Sequence, residues 1–193
     1  KFKMEKNIDC CFLITSSSAK SYQILSKDYS AIEPPTWALL LAESTRSVGF
    51  NVKIIDANAE NLQLEEIEQR ILKFKPKVLC FVVYGQNVNA GTANMSGAVH
   101  VSKFLKKRNP QMAISFIGSH VQALPMETLR NEKSIDFVFT NEGVYALRNI
   151  LKLNKFNEEN LKKINGIAFR SDKKVIITSP EKVVSNELMD KDL

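Results

Sequence analysis

Long hydrophobic runs are missing from this chain of 193 residues. None approaches the ~20 apolar residues that a membrane-spanning helix needs, so we expect no membrane span. The basic start, Lys1-Phe2-Lys3, leads into Glu5 and Asp9 rather than into the apolar core of a signal peptide. We therefore expect a cytoplasmic protein, and its hydrophobic content of 44% is enough for one good core.

Cysteine is scarce, and the spacing of the 3 residues fits no metal site. An odd number of cysteines also provides no disulfide framework. Cys10, Cys11 and Cys80 lie within apolar runs typical of strands, which favours buried small side chains over metal ligands. The sequence therefore predicts no metal site and no cysteine-ligated cluster within these residues.

The common nucleotide-binding motifs are also missing. Neither G-x-G-x-x-G nor G-x-x-x-x-G-K-[ST] occurs, which argues against dinucleotide and P-loop sites. A phosphoacceptor receiver needs acidic residues after its first and third strands, whereas Thr15-Ser16 and Val83-Tyr84 stand there. These classes of nucleotide and phosphate site are therefore not expected.

Acidic residues are outnumbered by basic ones, giving a net charge of +6. The excess is spread along the chain, and several lysines lie where helices should end, a position that the helix dipole favours for cations. The one dense run, Lys103 to Arg108, contains Phe104 and Leu105, which share a helical face with Ala98 and Val101. Because that face is apolar, we expect it to pack in the core and predict no nucleic-acid binding.

What the sequence does contain is a regular alternation of apolar strands and amphipathic helices. Such an alternation predicts a parallel, doubly wound α/β sheet with right-handed crossovers. We expect a flavodoxin-like or Rossmann-like sheet of five strands in the order 2-1-3-4-5. The predicted strands are 10–15, 51–55, 77–83, 112–117 and 135–139, and the predicted helices are 36–48, 64–74, 97–108, 126–130 and 144–151.

The C-terminal part has a different pattern. Two apolar segments, 166–170 and 174–178, flank a polar turn and predict a β-hairpin. The charged residues from Pro180 to Leu193 are typical of a linker. We therefore divide the chain into an α/β domain, residues 1–155, and a hairpin extension with linker, residues 156–193.

The most apolar strand is followed by an uncharged segment rich in amides and glycine, Tyr84 to Gly97. We predict a long loop there, with the next helix beginning near Gly97. A strand buried on both faces belongs in the centre of a parallel sheet, and ligands of such sheets bind outside the carboxyl ends of the strands. The segment is therefore predicted to line a binding crevice.

Three loops should converge at this crevice, because they follow strands one, three and four. They are Thr15-Ser16-Ser17, Tyr84-Gly85-Gln86-Asn87 and Gly118-Ser119-His120. Their neutral donors and acceptors suit amides, ribose or a phosphodiester better than a bare polyphosphate. An FMN site of the flavodoxin type stays open, although roughly eighteen residues separate Ser16 from the helix start at Pro34-Pro35.

Five loop segments stand out along the chain. They are Ser26 to Pro35, Asp56 to Glu60, Tyr84 to Asn87, Gly118 to Pro125 and Asn141 to Gly143. Taken together, these loops resemble those of the N-terminal cobalamin-binding domain of B12-dependent radical SAM enzymes, over about residues 8 to 178. The family's Gly-rich pair after strand four corresponds to Gly118-Ser119, and its G-E-G turn after strand five corresponds to Asn141-Glu142-Gly143.

The resemblance implies that this chain binds cobalamin and that it is catalytically inert by itself. The cofactor-binding residues that it implies are Thr15, Ser16, Ser17, Asp56, Tyr84, Gly85, Gln86, Asn87, Gly118, Ser119, His120, Asn141, Glu142 and Gly143. No catalytic residue is expected. The D-x-H-x-x-G motif, which supplies a lower cobalt ligand in methionine-synthase-type domains, is missing, as is common in the radical SAM branch.

The C-x-x-x-C-x-x-C cluster motif of a radical SAM barrel is missing as well. The resemblance therefore implies a fragment of a longer enzyme, with S-adenosylmethionine and a [4Fe-4S] cluster bound only by the missing domain. That domain would be the partner of this one, and the reaction would be methyl transfer, C–C bond formation or cyclisation. The alternatives are a flavodoxin-like FMN electron carrier and a non-catalytic interaction domain.

Several single residues allow two interpretations. His120 could contact the corrin or cap a turn, and Asp56 could bind a ribose or form a turn. Glu142 could face the cofactor or lie at a helix N-terminus. Met95 could contact the macrocycle or anchor its segment, and Tyr84 could cover the nucleotide tail or close the core.

Overall fold

A seven-stranded sheet forms the centre of the protein in the computed structural model, which describes residues 8–15, 34–84, 88–172 and 174–193. Its strands are β1 (Cys10–Ile14), β2 (Val52–Asp56), β3 (Val78–Val82), β4 (Ile114–Ile117), β5 (Phe137–Phe139), β6 (Ile167–Ser171) and β7 (Lys174–Ile177). The strand order is β2-β1-β3-β4-β5-β6-β7. The first five strands pair in parallel, which confirms the predicted 2-1-3-4-5 order.

Helices cover both faces of the sheet. They are α1 (Thr36–Ser47), α2 (Leu64–Phe74), α3 (Val88–Arg108), α4 (Ser119–Ala123), α5 (Pro125–Asn131), α6 (Val144–Lys152), α7 (Glu158–Leu161) and α8 (Met189–Asp192). Buried residues of α1 and α6 share one core cluster, and those of α2, α3 and α5 share the other. The fold is therefore doubly wound, as predicted. None of the helices described is both long and apolar enough to cross a membrane.

The central strands are apolar at consecutive positions because each of their faces is covered. Cys10 and Phe12 of β1 pack toward α1 and α6, while Cys11 and Leu13 pack toward α2 and α3. All four side chains are fully buried. Cys80 of β3 is equally buried, so the prediction of three buried cysteines is confirmed.

Helix α1 begins directly after Pro34-Pro35, as the fixed φ of proline favours. Its buried side chains include Ala38, Leu41 and Ala42. The predicted helix includes Val48, but Val48 lies beyond the last helical residue and is 47% exposed. The prediction was wrong there because the chain leaves the helix axis before Val48 reaches the core.

Helix α3 begins at Val88, so the prediction of a loop up to Gly97 was wrong. Glycine and asparagine disfavour helices in isolation, but packing overrides this preference. Gly91 lies so close to α4 that a Cβ there would be 2.6 Å from Ser119 Oγ. Met95 and Ala98 are buried in the core below. The first turns of α3 are therefore stabilised by contacts that local sequence does not contain.

The C-terminal hairpin continues the main sheet. β6 pairs antiparallel with β5, and β7 pairs antiparallel with β6. The charged tail that follows lies against the domain, with Val184 only 7% exposed. Asn141 Nδ2 donates a hydrogen bond of 3.1 Å to the Glu181 carbonyl, and the Val184 N–H donates to the Glu142 carboxylate. The tail is thus fixed to the turn between β5 and α6.

Candidate functional site

Gln122 of α4 joins three loops at the carboxyl edge of the sheet. Its Nε2 donates hydrogen bonds to the Tyr84 hydroxyl, at 2.5 Å, and to the Asn141 carbonyl, at 2.6 Å. Tyr84 follows β3, Gln122 follows β4 and Asn141 follows β5. The structure therefore brings these predicted loops together. Gln122 lies in one of the motifs of the resemblance, but the site prediction omitted it.

Gly118 allows the backbones of β3 and β4 to approach each other closely. A Cβ on Gly118 would lie 2.1 Å from the carbonyl oxygen of Val83, and its φ is +156°. Ser119, the next residue, is the first residue of α4 and lies against Gly91 of α3. Any side chain at position 118 would therefore push the two strand ends apart.

Tyr84 both packs on the core and reaches the crevice edge. Its ring lies 5.5 Å from that of Trp37, centroid to centroid, at an angle of 55°. Its carbonyl accepts a hydrogen bond of 3.3 Å from Asn94 Nδ2. Burial raises the pKa of the Tyr84 phenol to about 12, although the bond from Gln122 acts in the opposite direction. The phenol is therefore a neutral donor and acceptor at any ordinary pH.

This raised pKa predicts a loss of stability at alkaline pH. In the unfolded chain tyrosine ionises near its ordinary pKa of about 10, whereas folded Tyr84 keeps its proton up to about pH 12. Between pH 10 and about 11.5 the wild type should therefore lose about 1.5 kcal/mol more stability than Tyr84→Phe. Urea unfolding of both proteins across this range measures the difference. Parallel pH profiles would contradict the expectation, because the buried cysteines are the same in both proteins.

The turn from Asn141 to Gly143 is shaped by its own side chains. Asn141 Oδ1 accepts a hydrogen bond of 3.0 Å from the Gly143 N–H. Gly143 has a φ of +80°, and a Cβ there would be 2.4 Å from Ile117 Cδ1. The Glu142 carboxylate binds the backbone of the C-terminal tail, as described above. The polar groups of this turn therefore bind both Gln122 at the crevice edge and the backbone of the C-terminal tail.

The ends of β1 and β2 lie beside a separate small cavity. Its volume is about 160 Å³, and Thr15 is the predicted site residue that lines it. The other lining residues, which lie after β2 and on α2 and α3, are Ala57, Leu62, Gln63, Leu64, Ile67, Gly97, His100 and Val101. Such a volume holds one ring-sized group. The cavity lies on the α2–α3 face, whereas Trp37 and Tyr84 pack on the opposite face.

The structure gives local contacts for some of the remaining residues singled out in the sequence, and others are not described. Asp56 Oδ1 accepts a hydrogen bond of 2.9 Å from the Ala59 N–H, as in a turn former. The His120 carbonyl accepts from Leu124 N–H at the end of α4. Met95, at 7% exposure, anchors α3 in the core. Ser16, Ser17, Gly85, Gln86 and Asn87 lie outside the described residues.

In the described part of the chain, the cluster that Gln122 joins is made of neutral groups, and the neighbouring Glu142 carboxylate is engaged by the tail. The described residues contain no group of three or more metal-ligating side chains. Such a site can bind a large polar ligand through neutral hydrogen bonds and aromatic contacts.

Comparison with known proteins agrees with this arrangement. A protein of Pyrococcus horikoshii, named as an uncharacterized methyltransferase, is 31% identical over 154 residues, or 79% of this chain and 31% of that protein. The anaerobic magnesium-protoporphyrin IX monomethyl ester cyclase of Synechocystis is 26% identical over 153 residues, or 79% of this chain and 30% of the cyclase. The chain thus spans about a third of the length of these relatives.

Solved structures share the fold. The radical S-adenosylmethionine methyltransferase TsrM of Kitasatospora setae, with tryptophan and an S-adenosylmethionine analogue bound, superimposes with a TM-score of 0.66 at 10% identity, over 92% of this chain and 31% of TsrM. TsrM with cobalamin and a [4Fe-4S] cluster bound gives 0.62 at 10% identity, over 93% and 30% of the two chains. A family model described as the B12 binding domain matches residues 23–151. This chain therefore belongs to the B12-binding domain family.

Proposed function

We propose that this chain is the cobalamin-binding module of a B12-dependent radical SAM enzyme. The observation that carries the proposal is the uncharged cluster joined by Gln122 at the carboxyl edge of β3, β4 and β5. This edge is where open α/β sheets bind their ligands. Neutral hydrogen-bonding groups suit cobalamin, whose periphery is rich in amides.

The residues present fit such a ligand in a second respect. The Trp37 Nε1 atom is buried and has no hydrogen-bond partner among the described residues. A buried donor without a partner is uncommon and costs free energy, so a ligand acceptor would satisfy it. With Tyr84 and Gln122, Trp37 provides donors and aromatic surface but no net charge.

The role of this domain is to bind and orient. Gln122 holds the loops after β3, β4 and β5 in one arrangement, and Gly118 keeps the strand ends close enough for that bridge. The nucleotide tail would enter between the ends of β1 and β3, leaving the upper corrin face toward a second domain. When bound, cobalamin supplies the cobalt centre for methyl transfer or radical chemistry.

The remaining parts of the proposal concern the longer enzyme. We place the cofactor domain at residues 1–155 and the hairpin extension and linker at 156–193. S-adenosylmethionine and a [4Fe-4S] cluster would be bound by a radical SAM domain elsewhere in the parent chain. Since the relatives are named as a methyltransferase and a cyclase, the proposed reaction is methyl transfer, C–C bond formation or cyclisation.

Retention of hydroxocobalamin tests the proposal. The protein is mixed with hydroxocobalamin, desalted, and examined by visible spectroscopy and thermal unfolding. We expect corrin absorbance to stay with the protein and excess ligand to raise its Tm. Gln122→Ala should weaken retention, whereas Gln111→Ala, an exposed glutamine in the turn before β4, should not. Absence of corrin retention and of any Tm shift, with FMN retained instead, would exclude this function.

A further inference from the structure

The turn between β5 and α6 contacts both the crevice cluster and the C-terminal tail, residues 180–193. On one side, the Asn141 carbonyl accepts the hydrogen bond of 2.6 Å from Gln122 Nε2. On the other side, Asn141 Nδ2 donates to the Glu181 carbonyl at 3.1 Å, and the Glu142 carboxylate accepts from the Val184 N–H. Two neighbouring residues therefore hold the crevice cluster and the tail at the same time.

The two sides of Asn141 are linked by close contacts. Its Oδ1 accepts a hydrogen bond of 3.0 Å from the Gly143 N–H, which ties the side chain to the backbone of the turn. Gly166, just before β6, packs against both partners, because a Cβ there would lie 2.6 Å from Glu181 Cβ and 3.4 Å from Asn141 Oδ1. A shift of the Asn141 carbonyl would therefore also move the side chain that holds the tail.

The rest of the tail binds the helix that follows this turn. Val184 is 7% exposed and packs in the core cluster of the α1–α6 face. The Asp192 carboxylate accepts a hydrogen bond of 2.7 Å from the Tyr145 hydroxyl and pairs with Arg148 at 3.0 Å, and both of these partners lie on α6. Docking of the tail therefore depends on the same turn conformation as the bridge from Gln122.

We propose that cobalamin binding at the crevice and docking of the tail stabilise each other through Asn141, which acts as a positioning residue. A ligand that holds the Gln122 bridge in place fixes the Asn141 carbonyl and, with it, the contacts from the turn to the tail. By linkage, the docked tail raises the affinity for the ligand by the same factor. The inference rests on the proposed function, but the coupling between Gln122 and the tail can also be measured without ligand.

Two variants of adjacent tail residues test the effect on affinity. Val184→Asp places a carboxylate at a buried position and should release the tail, because a buried, unpaired charge is strongly unfavourable. Val183→Asp adds the same charge where the side chain is 62% exposed, so the tail should stay docked. Calorimetry should show hydroxocobalamin binding about fivefold more weakly to Val184→Asp, the low end of the usual range for coupled sites, since few hydrogen bonds carry the coupling. Val183→Asp should bind like wild type.

Hydrogen exchange of the wild type measures the reciprocal effect and does not depend on how a variant folds. With saturating hydroxocobalamin, exchange of the Val184 N–H should slow by about fivefold. The Lys162 N–H, which donates to the Glu158 carbonyl at the end of α7, provides the internal control and should exchange at an unchanged rate. A contact with a structural role alone would not respond to the ligand.

A third measurement uses the free protein. Gln122→Ala removes the bridge to the Asn141 carbonyl and should speed exchange of the Val184 N–H by about threefold, because the turn loses one of its hydrogen bonds. Gln111→Ala, the exposed control described above, should leave this rate unchanged.

Three outcomes would overturn the inference. The first is an unchanged affinity of Val184→Asp together with exchange at Val184 that the ligand does not alter, since the tail would then be docked without being coupled. The second is faster exchange with ligand, which would mean that the cofactor releases the tail. If wild type binds no hydroxocobalamin, the proposed function fails, and Gln122→Ala decides the coupling alone: an unchanged Val184 exchange rate is the third outcome, whereas faster exchange supports the coupling.

Discussion

Gly118→Ala is expected to lower the free energy of unfolding by about 3 kcal/mol, because the new Cβ would meet backbone that cannot move aside. The position of that atom is 2.1 Å from the Val83 carbonyl oxygen and 2.7 Å from the Val83 carbonyl carbon. Relief of this overlap requires β3 and β4 to separate at their carboxyl ends. Urea unfolding measures the loss, and cobalamin retention should fall with it.

Gly49→Ala provides the matched control. Gly49 also has a positive φ, +94°, but nothing lies within 4 Å of the position of its Cβ. Alanine there incurs only the backbone strain, about 1–2 kcal/mol. A Gly118→Ala protein no less stable than Gly49→Ala would show that the strand ends separate freely. The close approach of β3 and β4 would then not be what holds the site together.

Arg148→Met should lower the free energy of unfolding by about 3 kcal/mol, since a buried ion pair loses one partner. Arg148 is 7% exposed. Its guanidinium donates to the Ser44 carbonyl of α1 at 3.1 Å, and to the Asp192 carboxylate and carbonyl at 3.0 and 3.1 Å. It therefore joins α1, α6 and the C-terminal tail. Methionine fills similar space but donates no hydrogen bond.

The control for Arg148 is another arginine on the same face. Arg46 pairs with Glu43 at 2.9 Å, but both side chains are more than half exposed, at 58% and 61%. Arg46→Met should therefore change stability by less than about 0.5 kcal/mol. Limited proteolysis gives a second measurement, because Arg148→Met should expose the tail to cleavage sooner. Equal stability of the two variants would show that water stabilises the Asp192 carboxylate as well as Arg148 does.

The parallel sheet was predictable because its mainly apolar strands alternate along the sequence with amphipathic helices. The start of α3 was not predictable, because Gly91 disfavours a helix in isolation and the helix is stabilised there by packing against α4. The docking of the C-terminal tail was not predictable either, because Asp192 binds Arg148, which lies 44 residues earlier in the sequence. Charged residues in a weak pattern look the same in a linker and in a docked segment until the partner surface is known.

The candidate site was predicted at the level of loops and less well at the level of side chains. Tyr84 and Asn141 do lie together, because parallel strands end at one edge of the sheet. Gln122 was missed because nothing local distinguishes a glutamine that bridges two loops from one that faces solvent. Asp56 illustrates the same limit: the sequence left ribose binding and turn formation open, and the structure shows its carboxylate accepting a hydrogen bond within its own turn.

The burial of the cysteines has a chemical consequence for a protein that would hold a reactive metal centre. Burial raises the pKa of the Cys11 and Cys80 thiols to about 12 and that of Cys10 well above its ordinary value. Because the thiolate is the reactive form, the folded chain offers no sulfur nucleophile to cobalt, oxidants or alkylating reagents. A thiol reacts only when the central strands separate, so its rate of alkylation measures how often the sheet opens.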